Sequence, residues 1–468
     1  MRQKLVLLTV IAYLTCLCGC LTPKYQRPAS PAPPSWPESA TATPATPEAE
    51  PEADRVKWRD FFADKHLQSV IELALSNNRD LRVAALNVEK AQALYRIQRA
   101  QQYPEIDASA AGQLYRVPGK MSQTGKAYTY EQYNVGLSST VWELDLFGRV
   151  RSLKKAALEQ YLATEQAHSA TQISLIAAVA NTYLTMAADR DNLRLAQATL
   201  EAQQASYDLV RQTREAGIAS DLDLRQAQSQ VEAARVDIAR YTGQVALDGN
   251  ALNLLVGTQV PAELLPSELS SDQSLKDVSA GLPSDLLLRR PDILAAEHQL
   301  KASYANIGAA RAAFFPRIAL TGGGGVMSGE LSNLFKAESD TWNFYPQITA
   351  PIFDAGSRRA NLKAAKVDRD LAVAEYEKSI QSGFREVSDS LTLRSRLVEQ
   401  QQAQQALVTA LDETYQLSQA RYKAGIDSYL SVLVAQRSLY GAQQALVSVR
   451  LARQSNLVNL YKVLGGGA

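Results

Sequence analysis

The sequence predicts a mainly α-helical fold with a β-barrel part, built as a two-fold internal repeat. Three observations support this prediction. Long stretches with few prolines or glycines carry a helical pattern, and two pairs of shorter segments alternate apolar and polar residues. Both features occur twice in the same order along the chain, which is the mark of a duplicated unit.

The duplication is clearest at two turns with the sequence Ala-Gly-Ile. Gly217 and Gly425 occupy these turns, and the surrounding residues match at a constant offset of 425 − 217 = 208. Glycine accepts the positive φ that ends a helix, so each turn predicts the tip of a helical hairpin. The first-copy residues that recur at this offset are Tyr207, Ala216, Ile218, Ser220, Leu222, Ala227, Gln228, Leu252 and Gly257.

The composition argues against several classes of function. The chain has 49 Lys and Arg against 48 Asp and Glu, so we do not expect nucleic acid as a partner. Its three histidines lie far apart, and it has neither a phosphate-binding glycine loop nor a nucleophile elbow. We therefore expect no enzyme, no metal site and no cofactor other than covalent lipid.

The first 19 residues have the pattern of a secretory signal peptide. Arg2 and Lys4 precede the apolar stretch Leu5–Leu17, and Cys18-Gly19-Cys20 follows. Small residues before a cysteine are typical of a bacterial lipobox, which predicts Cys20 as the lipidated first residue of the mature chain. An ordinary signal with incidental cysteines is the alternative. Several acyl chains, palmitate among them, would anchor the chain stably in a membrane.

Residues 28–54 are rich in Pro, Ala, Thr, Ser and Glu, which predicts an extended, lipid-anchored tether over residues 20–57. Residues 58–257 form the first repeat, which opens with a short amphipathic helix over Trp58–Ser76. The predicted elements that follow are helix 80–103, strands 105–117 and 128–144, helix 148–216, and helix 221–257 after the tip near 217.

The second repeat covers residues 291–468 and follows a linker or equatorial segment at 258–290. Within it, Arg290-Pro291-Asp292 is interpreted as ordinary helix initiation, with proline at the first position and an acidic residue beside it. The predicted elements are helix 292–315, strands 317–327 and 341–353, helix 357–424, and helix 427–464 after the tip near 425.

The four predicted strands indicate that the protein spans a membrane. Alternation of apolar and polar residues over about ten positions is typical of transmembrane barrel strands, although a half-buried soluble sheet has the same pattern. Four strands cannot close a barrel, so two or more copies must contribute. The residues predicted on the lipid side are Val135, Leu137, Val141, Ile318, Leu320, Phe344, Ile348 and Ile352.

Five stretches together resemble the TolC-type outer-membrane efflux factors, in their lipoprotein branch (OprM/NodT-like). The resemblance covers essentially the whole mature chain. The stretches are the N-terminus Cys20–Pro28, Trp142–Gly148 at the end of the first strand pair, Leu287–Pro316 at the start of the second repeat, Pro351–Gly356 at the end of the second strand pair, and the C-terminal Asn459–Gly467.

The resemblance implies a homotrimer in the outer membrane that extends into the periplasm. Three copies of four strands would make a 12-stranded transmembrane β-barrel, and the coiled-coil hairpins would make a long α-helical barrel. The tips, with Gly217, Ile218, Gly425 and Ile426, would face a periplasmic adaptor (a membrane fusion protein). An inner-membrane efflux transporter would deliver drugs or other small molecules to this passive duct.

The resemblance also implies a gate at the inner end, where Tyr422 would pair with Asp223, and Leu430 and Arg437 would match the lipoprotein branch. Ser431 and Val434 stand where relatives often carry Asp, so a cation-binding ring would either be weaker here or rest on Asp221 and Asp223 alone. Plain capping and interhelix packing is the alternative role for Tyr422 and Asp223.

Three classes of function remain open from the sequence. A passive export duct explains both the strands and the hairpins. An enzyme or periplasmic binding protein has no set of site residues to support it. A coiled-coil scaffold would need no pairs of alternating strands at matched places in the two halves.

Overall fold

The computed structural model describes residues 21–33, 35–36, 57–269, 275 and 288–466. The predicted class is confirmed, because this part of the chain consists of long helices and one four-stranded sheet. The signal peptide and Cys20 lie outside the described residues.

The elements follow each other in the same order in the two halves. The first half contains α1 (Trp58–Phe61), α2 (Lys65–Asn77), α3 (Arg79–Ala100), β1 (Asp107–Val117), β2 (Tyr128–Glu143), α4 (Arg149–Glu215) and α5 (Asp221–Val256). The second half contains α6 (Pro291–Ala312), β3 (Arg317–Ser328), β4 (Asp340–Thr349), α7 (Ser357–Lys423) and α8 (Tyr429–Val463). Helices α4 and α7 each have 67 residues, and α3 and α6 each have 22, which supports the duplication.

Two predicted elements differ from the structure. The single helix predicted over Trp58–Ser76 is wrong, because the chain breaks after Phe61 and α2 begins with Asp64 as its N-cap. The Asp64 side chain accepts hydrogen bonds from the amides of His66 and Leu67, which fixes the new start. The fourth strand ends at Thr349 rather than at residue 353, so Ile352 lies beyond it.

The chain divides into two compact units. The first includes residues within Met1–Ala29, Asn87–Glu165 and Ala295–Tyr376 and contains the whole sheet. The second includes residues within Ser30–Leu86, Gln166–Leu294 and Glu377–Ala468 and contains both hairpin tips. The described helices include none that is both long and apolar enough to cross a membrane.

The sheet is an antiparallel meander in the order β1-β2-β3-β4. Leu137 pairs with Gly324 and Gly324 with Trp342, while Ile318 pairs with Ile348. Residues directly opposite each other share a face of the sheet, so the register gathers apolar side chains on one face. The other face carries Gln113, Gln132, Asn134, Thr321, Asn343 and Gln347.

The prediction that Val141 lies on the apolar face is wrong because of a β-bulge in β2. Ser139 pairs with Gly322 and Trp142 with Leu320, so the second strand contains one extra residue between them. Strict alternation would have placed Val141 with Leu137, but the bulge breaks it and puts Trp142 beside Leu320. Val141 has a φ of 51°, a value that valine rarely adopts.

The extended tether predicted for residues 20–57 is also only partly right. Among its described residues, Trp36 is 8% exposed and its ring stacks on Phe384 of α7 with centroids 4.7 Å apart. The composition is low in apolar residues, yet one tryptophan is enough to attach this stretch to a helix.

The two halves share a joint at which the end of one helix meets the start of another. In the first half, Asn78 Nδ2 donates to the carbonyl of Leu255 at 2.7 Å. In the second half, Arg290 Nη1 donates to the carbonyl of Val463 at 2.8 Å. The acceptors are 208 residues apart (463 − 255), the offset of the two glycine turns. The donors are 212 residues apart (290 − 78), the offset between the predicted helices 80–103 and 292–315.

Arg290 does more than the helix initiation predicted for it. Its buried guanidinium also binds Asp292 at 2.7 Å and Glu386 of α7 at 2.9 Å. Gly383 of α7 lies beside this guanidinium, and a Cβ at that position would be 3.4 Å from the guanidinium carbon. Pro291 and Asp292 do start α6 as predicted, but Arg290 connects three helices.

Candidate functional site: the hairpin tips

Both tips end their first helix in the same way. Gly217 and Gly425 have φ values of 76° and 73°, as predicted for helix-ending glycines. The next amide bonds back to the helix, Ile218 N to Thr213 O at 2.9 Å and Ile426 N to Arg421 O at 3.0 Å. A Cβ at either glycine would meet nothing within 4 Å, so the positive φ is what requires glycine.

The residue after each glycine presents an apolar side chain to solvent. Ile218 is 80% exposed and Ile426 is 62% exposed. Neither side chain contributes to the core of the single chain, so both are available to another protein. Their role as adaptor-facing tips remains a prediction.

An arginine–aspartate pair bridges each turn. Arg214 binds Asp221 at 2.8 Å in the first hairpin, and Arg421 binds Asp427 through two bonds of 2.6 and 3.0 Å in the second. The Arg421 guanidinium lowers the pKa of Asp427 below its ordinary value. Ser428 occupies the N-cap position of α8 without a side-chain hydrogen bond to the helix, while the preceding Asp427 pairs with Arg421.

Tyr422 lies beside the apolar core of the tips. Its ring packs against Tyr429 at 5.5 Å between centroids, and Tyr429 is buried with Val210, Ala227, Val432 and Leu433. Burial raises the pKa of Tyr429 to about 12, so its hydroxyl stays neutral. Tyr429 is not among the residues predicted for the tips, although its position one turn before the apolar pair Val432-Leu433 is a signal for it.

Asp223 has the capping role that the sequence left open as an alternative. Its carboxylate accepts the Ser220 hydroxyl at 2.7 Å and the Ser220 amide at 3.1 Å, and the Ser220 hydroxyl accepts the Asp223 amide. This reciprocal pair is a capping box. Among the described residues, no hydrogen bond joins Tyr422 to Asp223, but both line one cavity of about 490 Å³ between the two turns.

Leu430 and Arg437 lie on an exposed face of α8. Leu430 is 53% exposed, Val434 is 55% exposed and Arg437 is also exposed. Their spacing of four and three residues puts the three on one face of the helix. In the described part of the chain, no group of three or more His, Cys, Asp or Glu residues could hold a metal ion.

The model of the family described as "Outer membrane efflux protein" matches residues 70–258 and 282–466. Among known proteins, the chain is 50% identical over 469 residues to the "Probable efflux pump outer membrane protein TtgC" of Pseudomonas putida, covering 100% of this chain and 96% of that protein. It is equally similar, at 50% identity over the same shares, to the "Antibiotic efflux pump outer membrane protein ArpC" of Pseudomonas putida.

Solved structures show the same similarity. A membrane protein from Pseudomonas aeruginosa matches with a TM-score of 0.89 and 42% identity, covering 96% of this chain and 98% of that one. The open state of the MtrE outer membrane channel of Neisseria gonorrhoeae matches with a TM-score of 0.86 and 38% identity, covering 95% and 98%.

Proposed function

The chain belongs to the outer membrane efflux protein family, and on that premise we propose that it forms a passive trimeric duct. The duct exports drugs or other small molecules across the outer membrane. The observation that carries this proposal is the register of the sheet, which puts apolar residues on one face and polar residues on the other. A strand with one face in lipid and one in a water-filled lumen needs this arrangement.

The open edges of the sheet support assembly with further copies of the chain, and the resemblance to TolC-type factors implies that the copies number three. β1 and β4 end the strand order, and each leaves a row of backbone groups for a neighbouring strand. Three copies of four strands would close a 12-stranded barrel and satisfy these groups within the membrane.

The partners we propose are a periplasmic adaptor at the hairpin tips and an inner-membrane pump behind it. Support comes from the exposed Ile218 and Ile426 and from relatives that are named as parts of efflux pumps. The protein itself performs no chemistry, since the duct only conducts what the pump delivers.

Planar-bilayer recording tests this function. Purified protein should insert as a heat-sensitive trimer and give discrete conductance steps, and deletion of its gene should increase accumulation of pump substrates. A protein that is soluble without detergent and forms no channels would contradict the proposal.

We further propose that Cys20 carries the membrane lipid. The signal-like stretch that ends in Leu17-Cys18-Gly19-Cys20 supports this assignment. Intact-mass analysis of the mature protein should show a chain that begins at Cys20 with added acyl mass. Cys20→Ser should prevent processing, and a mature N-terminus elsewhere would contradict the assignment.

The gate is proposed to consist of Tyr422 and Asp223, with Leu430 and Arg437 on the exposed face of α8. The described residues of the single chain do not contain this bond, so the gate needs a charge-assisted hydrogen bond from Tyr422 to Asp223 that forms in the assembled trimer. Each such bond would contribute about 1–2 kcal/mol, and three copies would favour a closed state that an adaptor can still open. Tyr422→Phe with Asp223→Asn should therefore raise single-channel conductance and sensitise cells to large antibiotics such as vancomycin.

Ser220→Ala is the matched control, because it breaks the capping box and leaves the Asp223 carboxylate in place. Its conductance should equal that of the wild type. If the double variant also conducts like the wild type, packing around Leu430 or the adaptor sets the aperture instead.

A further inference from the structure

The two edge strands of the sheet each carry one exposed charge at the end that lies away from the helices. Arg116 is the last residue but one of β1, and Asp340 is the first residue of β4. Among the described residues, neither side chain has an ion-pair partner in its own chain. β1 and β4 are three strand spacings apart, about 14 Å, so the two charges cannot pair within one chain.

Both charges lie on the apolar face of the sheet. Ala110 pairs with Val135, Val135 with Val326, and Val326 with Asp340. Residues opposite each other share a face, so Asp340 is on the face of Val135. Arg116 is six residues beyond Ala110 on β1, and this even number puts its side chain on the same face. The two charges therefore lie on one face and at one end of the sheet, one at each edge.

The lengths of the edge strands select one register for their pairing between two copies. β1 has 11 residues and β4 has 10, and a closed barrel would pair them antiparallel. All ten residues of β4 find a partner when Asp340 is opposite Arg116 and Thr349 is opposite Asp107. A shift of two residues, the smallest that keeps the faces together, leaves one or two residues of β4 beyond the end of β1.

The same register gives the stagger that a closed barrel needs. A straight path across one chain joins Ala110 to Asp340, and the next step joins Asp340 to Arg116 of the partner subunit, an advance of 116 − 110 = 6 residues. Three chains advance the register by 3 × 6 = 18 residues around 12 strands. With strands about 4.8 Å apart and a rise of about 3.3 Å per residue, this stagger corresponds to a strand tilt of about 45°, which is usual for such barrels.

The junction between β4 of one copy and β1 of the next, which we call the seam, is chemically matched in this register. Apolar residues lie opposite apolar ones and polar residues opposite polar ones. The apolar pairs are Trp342–Leu114 and Ile348–Ala108, and the polar pairs are Asn343–Gln113 and Gln347–Ser109. A shift of two residues would also match the faces, but only this register places the two edge charges opposite each other.

We propose that Arg116 forms an ion pair with Asp340 of the partner subunit, and that this pair fixes the register in which β1 and β4 join at each seam. The inference rests on the proposed trimeric duct and names the contact through which its barrel closes. The pair lies at the end of the apolar face, where the strands leave the lipid and water can hydrate the charges. Opposite charges directly across a strand pair stabilise it, and like charges destabilise it.

A charge-swap experiment tests the pair. Arg116→Glu puts two acidic residues at each seam and Asp340→Arg puts two arginines there, so either change should lower the fraction of heat-sensitive trimer in isolated outer membranes severalfold. The double variant Arg116→Glu with Asp340→Arg restores opposite charges and should recover the wild-type fraction. Lys120→Glu, at an exposed lysine between β1 and β2, is the control and should assemble like the wild type.

Two outcomes of the charge swap would overturn the proposal. One is normal assembly of both single variants. The other is a loss in Arg116→Glu that Asp340→Arg does not reverse, as expected if the arginine instead binds a lipid phosphate.

A disulfide test measures the register directly. Arg116→Cys with Asp340→Cys should give a covalent trimer on a non-reducing denaturing gel, because opposed residues of antiparallel strands have Cα atoms about 4.5–5.5 Å apart. Leu114→Cys with Asp340→Cys is the out-of-register control and should cross-link far less, since diagonal neighbours are about 7–8 Å apart. Equal or stronger cross-linking of the control would overturn the register while the trimer still conducts. A wild type that forms no trimer at all would contradict the proposed duct itself.

Discussion

Phe344→Arg is expected to abolish assembly of the trimer in the membrane. Phe344 lies in the middle of β4 and pairs with Gly322, on the same face as Leu320, Trp342 and Ile348. An arginine on the lipid face near the midplane costs about 2–4 kcal/mol per chain, and a trimer carries the cost three times. The measurement is the fraction of heat-sensitive trimer in isolated outer membranes.

Asn343→Arg is the matched control, since Asn343 is the neighbouring exposed residue on the polar face. It should assemble normally and change ion selectivity. Ile348→Arg should be milder than Phe344→Arg because Ile348 lies near the end of the strand, where an arginine can reach the interface. Equal tolerance of Phe344→Arg and Asn343→Arg would refute the assignment of the faces.

The alternation of side chains was readable from the sequence because it depends only on the two-residue period of a strand. The register places Val135, Leu137, Ile318, Leu320, Phe344 and Ile348 on one face as predicted. The bulge at Val141 could not be predicted from the sequence, since a bulge depends on how the strand pairs with its neighbour.

The tips show a similar division. The glycine turns were predicted because a helix-ending positive φ has a local sequence signature. The partners of Tyr422 and Asp223 depend on which neighbouring side chains reach them. Ser220 donates to the Asp223 carboxylate, and the Tyr429 ring packs against the Tyr422 ring. The resemblance implied a pair, and in the single chain each partner is already engaged with a neighbour.

Contacts between distant segments were the least predictable. Residues 21–27 belong to the predicted tether, yet Tyr25 and Arg27 bind Glu297, which lies some 270 residues away in the sequence. The sequence predicts only helix initiation for Arg290, although the side chain also binds Glu386 and the Val463 carbonyl. A single sequence carries no signal for such pairs, because their chemistry is common and their separation is large.

Arg290→Ala is expected to destabilise the helical unit strongly. The arginine joins the start of α6 to α7 and to the end of α8 through Asp292, Glu386 and the Val463 carbonyl. Removing one member of a buried charged network costs about 3–5 kcal/mol, and the partial exposure of Asp292 and Glu386 places this case near the lower end. The measurement is the apparent Tm of the purified protein in detergent, followed by circular dichroism at the helix band.

The bonds that each residue makes between the helices determine how much stability its substitution removes. Arg290→Lys keeps the charge but lacks the planar fork that reaches three acceptors, so it should recover only part of the lost stability. Arg396→Ala, which removes only an exposed ion pair with Glu399 on α7, is the matched control and should leave the Tm nearly unchanged. The counterpart joint in the first half contains no ion pair. Asn78→Ala removes a neutral bond to the Leu255 carbonyl and the capping bond that Asn78 accepts from the Leu81 amide, and it should cost about 2 kcal/mol. If Arg290→Ala were no more harmful than Asn78→Ala, the ion pairs of Arg290 would add nothing to the stability of its joint.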